Sequence, residues 1–193
     1  MYISWKINDD INSISLHEFE NDFEVFYGFI MLKLGDYELG YVDKRYPGDE
    51  GDDDISYYIN SLIECGIVIL LGQDYRIRLL TNNLLEIVVH RYMEFDSNNM
   101  DRINHVNIRV VNTETDKIQC SFDVTINELI DEVINNYSKF INYIKSKNAV
   151  LLNSWAVRET TKYYDIFTQS LDFAREIANR FQTKTECLGG DGK

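Results

Sequence analysis

Three histidines, three cysteines and one dense run of carboxylates are the residues with chemistry to offer. His17 stands beside Glu18, but no second histidine follows four residues on, so the helical zinc pair HExxH is absent. His90 and His105 sit in strand patterns, on faces opposite Leu85, Ile87 and Val89 and opposite Val106 and Ile108. If those strands pair, the two imidazoles meet, and Glu94 or Asp101 could complete a metal site. Such pairs are more often plain cross-strand surface neighbours, so no metal is expected. Asp49, Glu50, Asp52, Asp53 and Asp54 could draw calcium, a cation that takes several carboxylate oxygens. The EF-hand order of alternating acids, central glycine and terminal glutamate is missing. The run therefore reads as a solvated loop that caps a following helix.

Nucleophile and phosphate motifs fail in the same way. The chain contains no GxSxG, GxxxxGK[ST] or GxGxxG. Cys65 lies in a helical pattern among apolar neighbours and Cys120 faces the expected core, so both read as small core residues. Asp36 and Glu38 flank a turn, without the lysine that a metal-dependent nuclease would set near them. The expectation is a protein that is not an enzyme and holds no cofactor. Three widely spaced cysteines with no CxxC argue against a disulfide framework and point to the reducing cytoplasm. The opening MYISWKINDD lacks the basic and apolar regions of a secretory signal, and no stretch of about 18 apolar residues occurs.

What remains is a surface, and its charge is uneven. The 193 residues include 45% hydrophobic and 26% charged types, a soluble globular composition of one-domain length. Nineteen basic against 32 acidic side chains give −13. Residues 1–74 hold sixteen acids against four bases, a net of −12, and residues 75–193 hold sixteen against fifteen, a net of −1. Such a field repels nucleic acid and anionic membranes, so neither is expected as a direct partner. It steers a basic one. Tyrosines interleave with the acids, and a tyrosine anchors an interface with a rigid ring and a hydroxyl. The candidate partner-binding set is Asp36, Glu38, Asp43, Tyr46, Asp49, Glu50, Asp52, Asp53, Asp54 and Tyr57.

The elements that must position this set read as α+β. Tyr2–Ile7 alternates as a strand, and a short turn is expected around Leu16–Phe19. FEVFYGFIMLKL (23–34) and YELGYV (37–42) flank Gly35–Asp36 as a tight hairpin. Ile55, Tyr58, Ile59, Leu62 and Ile63 form a helical stripe after the acidic loop. Whether 66–71 continues the helix or starts a strand stays open on periodicity alone. Further strands are read at 75–80, 84–92, 103–111 and 117–124. Thr125-Ile126-Asn127-Glu128 is a capping box that opens a helix to about Lys145, and a last helix spans roughly Ala156–Gln182. The fold class is α+β: a mostly antiparallel sheet, helices packed on one face, and a C-terminal helical pair. The domain spans 1–183, mainly sheet to 124 and helical from 125, with 184–193 a flexible tail.

FYGFIMLKLGDYELGYVD and DDDISYYINSLIECG, followed by strands and closing helices, resemble small acidic immunity proteins of bacterial polymorphic and contact-dependent toxin–immunity systems. The resemblance spans about residues 20–145. Those families share no catalytic motif, so no functional residue is carried over. It implies a cytoplasmic inhibitor that binds a cognate toxin or effector domain and blocks it. The alternative is a phage or mobile-element anti-defence inhibitor whose carboxylates mimic a nucleic acid.

Overall fold

The computed structural model describes residues 1–7, 10–23, 25–40, 53–78, 85–92 and 104–188, with backbone alone for 23, 38–40, 53 and 178–188. The α+β class holds, with helices and antiparallel strands and a C-terminal helical pair. The strands divide into two four-stranded sheets.

The first sheet contains β1 (Tyr2–Ile7), β2 (Tyr27–Leu34), β3 (Tyr37–Gly40) and β4 (Asp53–Asp54). The strand expected from residue 23 begins only at Tyr27. A single π-helical turn, Phe19–Phe23, and the short α1 (Leu16–Glu18) come before it. Phe19 and Phe26 are both buried there, with ring centroids 4.5 Å apart. The hairpin forms as read: Leu34 pairs with Tyr37 across Gly35–Asp36, and Gly35 has a φ of 60°. Asp36 is not among the positive-φ residues, so the turn has the glycine-first pattern of type II′.

Next comes α2 (Ile55–Leu70), buried on most sides through Ile55, Ile59, Leu62, Ile63, Cys65, Gly66 and Ile69. Residues 66–70 are thus helix. Burial against neighbours on several faces removes the amphipathic signal that would have marked them so. The helix stops at Gly72, whose φ of 82° lets Gln73 N donate to the Val68 carbonyl and Gly72 N to that of Ile69, a Schellman ending. At Gly66 an added Cβ would lie 2.8 Å from the Phe167 ring and 3.2 Å from Val133, so this glycine sets how closely the three long helices meet.

The second sheet is a meander of β5 (Tyr75–Arg78), β6 (Leu85–Arg91), β7 (His105–Asn112) and β8 (Lys117–Thr125). Its inner face buries Ile77, Ile87, Val89, Val106, Ile108, Val110 and Val124. Thr125 and Glu128 form the expected capping box at the start of α3 (Ile126–Asn148). A 3-10 turn (Ala149–Asn153) leads into α4 (Trp155–Leu188), whose backbone stays helical five residues past the expected end of the domain at 183. Tyr137 of α3 stacks on Tyr164 of α4 at 3.7 Å and 10°.

Helix α3 also ties down the free edge of the first sheet. The Ile3 backbone N–H donates to Glu132 at 2.6 Å, and Trp5 Nε1 donates to Asn136 at 3.1 Å. A sheet edge covered by a helix and tied to it is a poorer template for unwanted strand pairing. Among the described residues, no helix is long and apolar enough to cross a membrane.

Candidate functional site

Two surfaces gather the residues singled out above. The first is the edge of β2 away from β1. Strand β1 pairs with Gly28–Lys33, so β3 and β4, which pair with overlapping residues, must both lie on the other side. The chain leaves β3 at Gly40, opposite Met31, and re-enters as β4 with Asp53 opposite Gly28. Three residues of strand separate those points, about 10 Å. Residues 41–52 join them. Asp43, Tyr46, Asp49, Glu50 and Asp52 belong to that segment and lie outside the described residues.

The other five candidates are placed. Asp36 is exposed at the hairpin turn. The Glu38 backbone lies opposite Lys33 and that of Asp53 opposite Gly28. Asp54 is half-buried, and its carboxylate caps α2: Oδ1 accepts from the Tyr57 N–H at 3.1 Å and from the Ser56 hydroxyl. The cap was legible in the sequence, and it takes Asp54 largely out of the docking set. Tyr57 is half-buried and edge-on to Tyr58, with centroids 5.8 Å apart. Asp36 and Asp54 mark opposite ends of β2, about 23 Å apart over seven residues of strand. A standard interface covers about 800 Å² per partner, roughly 30 Å across, so both ends fit under one partner.

Several other acids of the first 74 residues are held by the fold itself. Glu18 closes a capping box with Ser15, and the backbone and hydroxyl bonds from Ser15 hold its carboxyl below the ordinary range. Glu20 accepts from the Trp155 N–H at 3.1 Å and lies 3.9 Å from Arg158. Glu64 accepts from the Tyr75 hydroxyl.

The second surface is the outer face of β6–β8, where the histidines sit. His90 lies opposite Asn107, so His90 and His105 share a face but stand diagonally rather than side by side. His90 Nδ1 is 2.7 Å from Asp74 Oδ2, and the Arg91 N–H donates to Asp74 Oδ1 at 3.1 Å. Partial desolvation pushes the Asp74 carboxyl up, but these two bonds outweigh it and the net shift is downward. Between the histidines lies buried Asn107. Its Nδ2 donates to Ser121 at 3.0 Å and to Asp123 at 2.7 Å, and its Oδ1 accepts from Arg109. The Tyr92 hydroxyl donates to Asp123 at 2.9 Å.

Most of this face is a net of satisfied pairs, while His105 Nδ1 is buried without a hydrogen-bond partner. Sequence reasoning found the histidines but not Asp74 or Asn107, which are brought in by strand pairing at long range. The alternation of His105, Asn107 and Arg109 against Ser121 and Asp123 was the available signal. Glu94 and Asp101 lie outside the described residues, and among those described no three His, Cys, Asp or Glu gather as a metal site. Cys65 is fully buried, which pushes its thiol far up from its ordinary value. Burial also raises that of half-buried Cys120. Neither is a poised nucleophile.

Compared with known proteins, the chain matches no family model, no curated protein and no solved structure.

Proposed function

We propose that the protein is a non-enzymatic, cytoplasmic immunity or inhibitor protein that binds a basic toxin or effector domain through the β3/β4 edge of its first sheet. The observation that carries this reading is the anchoring of residues 41–52, which hold Asp43, Asp49, Glu50 and Asp52, at both ends on one side of β2. Asp36, exposed at the hairpin, stands at the far end of the same strand. Such a field raises the rate of encounter with a basic partner and is screened by salt. The absence of any catalytic sequence motif, together with the pairing of His90 to Asp74, supports a role by occupation rather than by chemistry.

The test is a pull-down from the native host, with the product of the neighbouring reading frame as bait, followed by association kinetics. Equimolar capture of a basic toxin domain is expected. Replacing Asp49, Glu50 and Asp52 by lysine should slow association roughly tenfold or more at low salt, with a smaller effect at ~0.5 M. Binding indifferent to both changes would end the proposal, and so would capture of a defence nuclease in place of a toxin.

A further inference from the structure

Helix α4 carries an apolar line that faces away from the protein. Trp155, Ile166 and Ile177 are spaced by eleven residues, which is almost three helical turns, so they stack along one side of the helix. Phe173, two turns beyond Ile166, joins them. All four are exposed, at 60% for Trp155, 49% for Ile166, 61% for Phe173 and 39% for Ile177. The opposite side seats buried Phe167 and Leu171 inward, and the Phe167 ring touches the Gly66 site of α2. The sequence continues the spacing at Leu188.

One flank of the line is charged, and in order. Exposed Arg158 and Lys162 come first, followed by exposed Asp165, Asp172 and Glu176. Over its whole length α4 has five basic and five acidic residues, neutral within a chain of −13. A basic partner of the kind proposed for the β2 edge gains nothing electrostatically on this helix. A second α4 running the other way does. Trp155 of one copy then meets Ile177 of the other, and Ile166 meets itself on the two-fold axis. Arg158 and Lys162 come to face Glu176 and Asp172. A parallel two-fold pair would instead set this flank against the other one, with Glu159, Tyr163 and Ser170, and would lose those matches.

We infer that the α4 line is a self-association face, and that the protein forms an antiparallel two-fold dimer through Trp155, Ile166, Phe173 and Ile177. The contact from 155 to 177 is about 33 Å long and covers on the order of 600 Å² per copy, near the lower bound for a specific interface. The dimer is therefore expected to dissociate in the low-micromolar range.

Sedimentation of the full chain alone, from about 1 to 200 μM at ~0.15 M salt, reads this without any partner and is independent of the proposed function. The mass should climb from 22.7 kDa toward twice that value. Phe173→Glu, at an exposed site, should leave only monomer. Lys162→Glu and Asp172→Lys should each weaken the dimer roughly tenfold, and the double variant should recover to within about threefold of the parent. In a Cys187→Ser background, Ile166→Cys should cross-link across the axis and Trp155→Cys should not. Monomer at every concentration overturns the inference. So does a dimer untouched by Phe173→Glu, or one in which Trp155→Cys cross-links or Ile166→Cys does not.

Discussion

The two sheets treat their charges in opposite ways. On the second, Arg109, Asp123, Asp74 and His90 find one another or a neutral neighbour within the same face, with Asn107 at the centre. On the first, Asp36 is exposed at the hairpin and the backbones of Glu38 and Asp53 lie on strands paired to the side of β2 away from β1, with few bases near them in the sequence. Formal charge along a chain therefore says little about charge available to a partner. What decides is whether strand pairing brings a counter-group across. His90 and His105, the most reactive-looking residues, lie on the second sheet, and the described docking candidates lie at the first.

Variants can break this contrast. The largest effect is expected at the centre of the closed face. Asn107→Ala removes a buried side chain and its bonds to half-buried Arg109 and exposed Ser121 and Asp123, and should cost about 2 kcal/mol in chemical unfolding. If Asn107→Ala is as stable as the parent, the net does not hold the sheet. Next in size is the boundary residue Asp54, where Asp54→Ala should cost about 1 kcal/mol through loss of the α2 cap. Asp36→Lys, out on the open edge, should change stability by less than about 0.5 kcal/mol yet slow partner association. A similar loss of stability from Asp36→Lys and Asp54→Ala would erase the distinction between cap and contact.

The smallest effect is acid-dependent. The Asp74 carboxyl titrates lower in the folded chain than in the unfolded one. Its contribution is therefore present above the unfolded value, about 3.9, and fades as pH falls through the lower folded value. Asp74 is about half exposed, so screening keeps this within ~0.5 kcal/mol. Asp74→Asn should remove that part of the acid limb in urea melts repeated from pH 6 to 2, and an unchanged limb would mean that the His90 pair is idle.

Local signals carried much of the fold. Gly35–Asp36 announced its hairpin and Thr125–Glu128 its helix start, because each depends on a few adjacent residues. The end of α2 was harder: Ile67–Leu71 suits a strand or a helix, and only packing on several sides decides. Gly72 was the overlooked stop. The division into two sheets was hidden because alternation tells which face a side chain takes, not which strand it meets. Strand β4, two residues long, has no pattern at all and exists because it returns to β2. The same limit hid Asp74 from His90, sixteen residues away. Of the candidate site, a cap from Asp52, Asp53 or Asp54 was readable and the structure assigns it to Asp54, while the common anchoring of residues 41–52 could come only from pairing.

That re-entry onto β2 also separates recognition from folding. With both ends pinned about 10 Å apart, the intervening stretch can be lengthened at a cost near 0.6 kcal/mol per doubling. Among the described residues, the strand pairings of the first sheet are made outside that stretch. The scaffold is thus arranged to accept an interchangeable cassette, so that relatives of this protein could diversify their targets there while keeping one body.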